Sequence, residues 1–219
     1  MKKKLLGFAV IALVLFGCKG KDEKTLSGLL KADFKKEIGK DTTGLYVLKN
    51  AAGMEVCVTN FGARIVSIMV PDKAGKMQDV VLGFDSIADY INIPSDFGAS
   101  IGRYANRIAN SRYTFDGETV TLSPSQGVNQ LHGGPDGFDK RRWKIVRQND
   151  GEVLFSLDSP DGDQGFPGNL VASARFTLTD DNRIAIEYRA TVDKPCPVNL
   201  TNHAYFNLDG SQCDVRNHK

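Results

Sequence analysis

The sequence predicts an all-β protein. Three observations carry that expectation: strict two-residue alternation across 170–192, a series of short apolar runs separated by turn residues, and little 3.6-residue periodicity after about Thr43. In the first of these, Leu170, Ala172, Ala174, Phe176 and Leu178 share one face, and Val171, Ser173, Arg175, Thr177 and Thr179 share the other. Asp180-Asp181-Asn182 supplies the turn. The return strand sets Ile184, Ile186, Tyr188, Ala190 and Val192 inward against Arg183, Glu187, Arg189 and Thr191. One dry face and one wet face is the pattern of an antiparallel hairpin.

The chain begins with an address. Met1-Lys2-Lys3-Lys4 is positively charged, and 5–16 is apolar apart from one glycine. That run is too short to span a bilayer as a helix and has the form of an export signal. It ends in Leu15-Phe16-Gly17-Cys18, which resembles a bacterial lipobox; a core helix with a chance cysteine is the competing reading. Residues 1–17 are therefore expected to be a lipoprotein signal peptide and Cys18 the lipidation site. The expected location is an exported bacterial lipoprotein held at a membrane through its N-terminal lipid, in the periplasm or at the cell surface. Residues 18–42, rich in Lys, Asp, Glu and Gly, are expected to be a solvated charged tether. Within them Lys21-Asp22-Glu23 suits a surface-export tag or a plain linker.

Residues 43–219 are expected to form one β domain. After the signal come strand-like runs at 55–59, 65–70, 80–82, 112–115, 119–122, 143–148 and 153–157, then the hairpin. Strand after strand with turn-rich links argues for a sandwich or barrel.

Composition sets the remaining bounds. The 219 residues are 41% hydrophobic and 25% charged, which excludes disordered, collagen-like and polytopic membrane classes. The formal charge of +2 gives no support for a nucleic-acid partner. Cleavage before Cys18 would remove three lysines and no acid, leaving the mature chain slightly negative. Export would place Cys57, Cys196 and Cys213 in an oxidising compartment. Their odd number and lack of Cys-x-x-Cys spacing make buried free thiols the expectation for Cys57 and Cys196.

Three loops hold an excess of polar chemistry. Gly102-Arg103-Tyr104-Ala105-Asn106-Arg107-Ile108-Ala109-Asn110 offers guanidinium forks and amides, suited to a polyhydroxylated ligand or to surface ion pairing. Asn129-Gln130-Leu131-His132-Gly133-Gly134-Pro135 sets an imidazole beside glycines that allow close backbone approach. In 197–208, alternation would place Asn199, Thr201, His203 and Tyr205 on one face, a poor core but a good binding wall. Two of the three histidines fall in these loops, and imidazole suits proton transfer near neutral pH. Phosphate-loop, His-Glu-x-x-His and Gly-x-Ser-x-Gly motifs are missing, and the acidic stretch 158–165 lacks an EF-hand ligand pattern.

The ordered set of motifs resembles the aldose 1-epimerase, or galactose mutarotase, family. It comprises Asn60-Phe61-Gly62-Ala63, Val81-Leu82-Gly83-Phe84, Gly102 to Ile108, Leu131-His132-Gly133-Gly134 and Gly137-Phe138-Asp139-Lys140. It continues with Ser159-Pro160-Asp161-Gly162-Asp163-Gln164-Gly165-Phe166-Pro167-Gly168 and Asn199-Leu200-Thr201-Asn202-His203-Ala204-Tyr205-Phe206-Asn207-Leu208. The resemblance implies a large antiparallel β-supersandwich and an isomerase that interconverts α and β anomers of aldohexoses such as galactose and glucose. It implies His203 as the acid that protonates the ring oxygen, with His132 beside it as the second catalytic histidine. It also implies Asn106 and Arg107 on sugar hydroxyls and Tyr205 lining the pocket. The family's base is a glutamate near the C-terminus of a longer chain and has no counterpart here, so the domain is expected to be C-terminally truncated. No motif nominates Glu118, Glu152 or Glu187 in its place. A non-catalytic carbohydrate-binding lipoprotein and a non-functional fragment are the alternatives. No cofactor or metal is implied; a structural Ca²⁺ would suit an exported protein, but no ligand motif supports one. The expected partner is a small aldose, bound by a monomer with no nucleic acid.

Overall fold

The computed structural model describes residues 24–210 and 214–218, so the expectations for residues 1–18 and Cys213 lie outside the described residues. Two four-stranded antiparallel sheets dominate. The first runs in chain order through Leu45–Lys49, Glu55–Thr59, Arg64–Pro71 and Met77–Asp79. The second runs through Lys144–Gln148, Glu152–Ser159, Leu170–Leu178 and Ile184–Val192. In its last hairpin Leu170 pairs with Val192 and Leu178 with Ile184, the register the alternation implies. The inward set of Leu170–Leu178 is buried throughout, and its partner strand at the sheet edge is half-buried. Among the described residues no helix is long and apolar enough to cross a membrane.

One apolar core joins the sheets. Leu48, Val56, Ile65 and Ile68 from the first meet Val153, Phe155, Ala172 and Phe176 from the second, all at most 2% exposed. Each such side chain contributes about 1.5–3 kcal/mol through loss of apolar surface to water. Trp143 caps this core, edge-on to Phe138 at 5.8 Å, with its indole N–H donating to the Phe138 carbonyl. Cys57 is a buried free thiol, as expected, and burial pushes it far above its ordinary value; Cys196 is also free but only half-buried, contrary to the expectation.

Two expectations need correction. The segment expected to be a solvated tether is, from Lys24 to Thr42, packed onto the domain. Phe34, at the end of the short helical turn Lys31–Phe34, is fully buried with Leu29, Leu45, Cys57 and Tyr90. Its carbonyl accepts from Thr43 Oγ1 at 2.7 Å, and the Leu26 N–H donates to Glu55 at 2.6 Å. Charged composition concealed two apolar anchors. Phe34→Ala should cost about 3–5 kcal/mol and speed proteolytic cutting within 24–42 before the sheets are cut. Unchanged cutting would show that Phe34 does not hold the segment.

The run 80–82 is not a sheet strand. The Asp79 carboxylate accepts from the N–H groups of Ile68 and Val81, which ends the ladder at Met77–Asp79. The chain then crosses to residues 205–206, where Val81 bridges Phe206 and the Leu82 N–H donates to the Tyr205 carbonyl.

Candidate active site

Three separated loops meet beside the sandwich. Strand Ser100–Ile101 pairs with Thr201–Asn202, and the Ala105 N–H donates to the Asn199 carbonyl at 2.9 Å. This sets 105–106 beside 199–204. The glycine loop then closes in: a Cβ on Gly133, whose φ is +85°, would lie 1.8 Å from the Gly102 carbonyl oxygen, so only glycine fits. The result is a cavity of about 460 Å³ lined by Ala105, Asn106, His132, Asn199, Thr201, Asn202, His203 and Ala204.

His132 and Asn106 lock each other. The His132 N–H donates to the Asn106 carbonyl at 3.0 Å, and the Asn106 N–H donates to His132 Nδ1 at 3.0 Å. An N–H donor facing Nδ1 leaves that nitrogen unprotonated, so the neutral ring carries its proton on Nε2. Burial pushes the imidazole below its ordinary value, aided by His203, Arg107 and Lys140 and opposed by Asp96. His132 is therefore a neutral donor at neutral pH.

The pH dependence follows from the direction of that shift. As pH falls, the unfolded chain takes up the proton first, near the ordinary value of 6.5. Stability and the Asn106 contact thus persist above 6.5 and are lost below it, as the depressed native value is approached. In an NMR titration the Asn106 amide should hold its position down to pH 6.5 and move only below it. A midpoint above that value would contradict the assignment.

His203 is pinned by its backbone, donating to the Ala99 carbonyl at 2.8 Å and accepting from the Gly98 N–H at 3.1 Å. Its ring lies edge-on to His132, with centroids 5.2 Å apart, and stacks on Tyr205 at 25°.

The sequence-predicted set is partly assembled. His132, His203 and Asn106 face the cavity together. Arg107 does not line it: its Nε donates to Gln126 at 2.6 Å and its Nη1 to the Asn106 side chain at 3.4 Å, which places it behind Asn106. Tyr205 does not line it either. Extended pairing ends at Asn202, whose side chain accepts from the Ala204 N–H, so the two-residue alternation is lost and Tyr205 packs against His203 and Phe97. For the same reason Asn202 joins the wall, although alternation would turn it away. Arg103, grouped by composition with ligand donors, is 2% exposed and binds backbone carbonyls.

Asp96 is the residue that sequence reasoning missed. It stands between helix Ile87–Asn92 and strand Ser100–Ile101, and one carboxylate oxygen lies within 4.8 Å of a nitrogen of both His132 and His203. Nothing local marks a loop aspartate as a neighbour of two distant histidines.

A family model described as aldose 1-epimerase matches residues 44–219. The chain belongs to the aldose 1-epimerase family. It is 67% identical over 175 residues to the aldose 1-epimerase of Escherichia coli K12, covering 80% of this chain and 51% of that one. It is 44% identical over 157 residues to the galactose mutarotase of Bos taurus, covering 72% and 45%. Among solved structures, an aldose epimerase homologue from C. elegans superposes with a TM-score of 0.74 at 42% identity, covering 77% of this chain and 52% of that one. Galactose 1-epimerase from Lactobacillus acidophilus superposes at 0.71 with 30% identity, covering 79% and 51%. The fold is thus galactose mutarotase-like, and the chain spans about half the length of the curated relatives it matches.

Epimerase chemistry needs an acid and a base on the sugar. Two imidazoles, of His132 and His203, face the cavity. Among the described residues no glutamate lines the cavity: Glu152 pairs with Arg147 and Arg175, Glu187 pairs with Arg175 and Arg189, and Glu118 lies in a strand paired with Arg112–Phe115.

Asp96, His132 and His203 also form the one group of possible metal ligands among the described residues. Metal on His132 Nε2 would require a proton on Nδ1, directly opposed to the Asn106 N–H. The His132 tautomer suits an oxygen ligand instead.

Proposed function

We propose that the cavity binds an aldohexose, with galactose and glucose the expected substrates, and that the chain carries the acid half of an anomer interconversion. The observation that supports this most directly is the pair of histidines at one wall, one held as a neutral donor, beside the amides of Asn106, Asn199 and Asn202. Amides both donate and accept, as sugar hydroxyls do.

In this reading His203 gives a proton to the ring oxygen while a base removes the C1 hydroxyl proton. The C1–O5 bond breaks with its electron pair leaving on the protonated O5, C1=O forms, and the ring opens to the aldehyde. Rotation about C1–C2 presents the other face, and the two transfers reverse. His132 holds an oxygen near the same position by donation from Nε2. Fixing the pyranose against this wall is where the protein gains rate, since the open form must reclose before it leaves.

The lack of a cavity glutamate among the described residues favours a second reading, a carbohydrate-binding protein on the same scaffold. Polarimetry of freshly dissolved α-galactose and α-glucose separates the two. Accelerated mutarotation supports the enzyme. Sugar binding by calorimetry without acceleration supports the binding protein, and neither result would sink both.

Export with lipidation at Cys18 belongs to the same proposal, supported by the basic leader, the short apolar run and Gly17-Cys18. Radiolabelled palmitate should enter the wild-type chain and not Cys18→Ser; equal labelling would overturn it.

A further inference from the structure

We propose that Asp96 is a further ligand-contacting residue of this site, its carboxylate accepting a hydrogen bond from a sugar hydroxyl whose oxygen also accepts from His132. The inference rests on the sugar-binding reading above and adds a contact that the motifs do not contain.

The loop carrying Asp96 is held rigidly. The buried Arg64 guanidinium donates from Nη1 to the carbonyls of Ser95 and Phe97, the residues on either side. The Ala99 N–H donates to the Asp96 carbonyl at 3.1 Å. Two residues on, Gly98 has φ +65°, and a Cβ there would meet the Ile65 carbonyl oxygen at 1.8 Å. The loop therefore presses against the strand Arg64–Pro71, and Asp96 is placed by backbone contacts on both sides. One of its carboxylate oxygens lies within 4.8 Å of a nitrogen of each histidine, so Asp96 stands beside the cavity wall that the two rings form.

The spacing indicates what fits between the three. The polar atoms of Asp96, His132 and His203 lie within 4.8 Å of one another, and among the described residues Asp96 makes no direct ion pair with either ring. Groups gathered this closely can share one small oxygen-bearing group within hydrogen-bond reach. Donor and acceptor character agree with the spacing. With Nδ1 occupied by Asn106, His132 offers the donor Nε2–H. An ionised carboxylate only accepts, so the occupant must donate to Asp96 and accept from His132 at one atom. A hydroxyl does both.

The test is binding of galactose, glucose and their monodeoxy analogues to the full chain, by NMR titration, for the wild type, Asp96→Ala and Asp96→Asn. Asp96→Ala should weaken galactose binding by about tenfold or more. For the one analogue lacking the hydroxyl that Asp96 holds, wild type and variant should bind equally. Asp96→Asn, which keeps the shape and one acceptor, should fall between them, and unchanged circular dichroism confirms that both variants fold. An equal loss for every analogue, or no loss, overturns the assignment while leaving the sugar site intact. Tight uptake of Zn²⁺ alone that Asp96→Ala abolishes would mark a cation site and also overturn it. A wild type that binds none of the sugars sinks the sugar reading itself.

Discussion

Arg103→Ala should destabilise the domain by several kcal/mol, on the order of 1–3 kcal/mol for each buried carbonyl left unpaired. The guanidinium is 2% exposed and lies among backbone oxygens. Its Nη2 donates to the carbonyls of Ser159 (2.7 Å), Pro160 (2.9 Å) and Gly168 (3.0 Å), its Nη1 to Pro167 (2.9 Å), and its Nε to Ser159 Oγ (2.9 Å). These carbonyls belong to the loop between two strands of the second sheet, which has little ladder of its own. Deleting the side chain leaves several buried acceptors unpaired, and each costs more than its bond had contributed. A domain of this kind is stable by only about 5–15 kcal/mol, so a large part of the margin disappears. The same residue also borders the cavity walls, its carbonyl accepting from the Asn199 N–H at 2.9 Å, a backbone bond that alanine keeps. Urea unfolding monitored at Trp143 measures the effect. Lysine should rescue it only in part, since an ammonium cannot reach four carbonyls in one plane. A midpoint within error of wild type would show that the buried fork is dispensable.

His203→Ala should abolish any acceleration of mutarotation by the chain, a loss on the order of 10²–10⁴-fold for removal of a positioned acid. Stability should change little by comparison, because the residue is held by backbone bonds to Ala99 and Gly98 that alanine retains. His203→Asn tests the role rather than the presence of the ring. It can still hydrogen-bond a sugar oxygen but cannot transfer a proton, so binding should survive and acceleration should not. If His203→Asn kept wild-type acceleration, the acid would be another group. If both variants bound galactose as wild type does, His203 would not touch the sugar.

Much of the fold is legible along the chain. The hairpin of Leu170–Leu178 and Ile184–Val192 appears where alternation and Asp180-Asp181-Asn182 place it, because one face of each strand meets the core and the other meets water. Strand Glu55–Thr59 is likewise found as expected, although all five residues are buried, since β-branched residues dominate it. The failures share a cause. Residues 80–82 look like a strand, yet the Asp79 carboxylate captures the N–H groups that would continue the ladder. Residues 24–42 read as a charged tether because two buried apolar side chains, Leu29 and Phe34, are too few to register in composition.

The site divides in the same way. His132, His203 and Asn106 were identified as chemistry concentrated in loops, and all three face one cavity. The motif containing Arg103 and Arg107 could not show which arginine is which. Folding buries the first among carbonyls and turns the second toward Gln126.

By itself the sequence determined the β class, the main hairpin register and the loops that hold the histidines. Those properties follow from side-chain period and turn chemistry, which act over a few residues. Only the tertiary structure decided that Asn106 selects the His132 tautomer, that Tyr205 supports His203 instead of lining the cavity, and that Asp96 faces both rings. Each depends on contacts between segments far apart in the chain, where neither spacing nor alternation carries information.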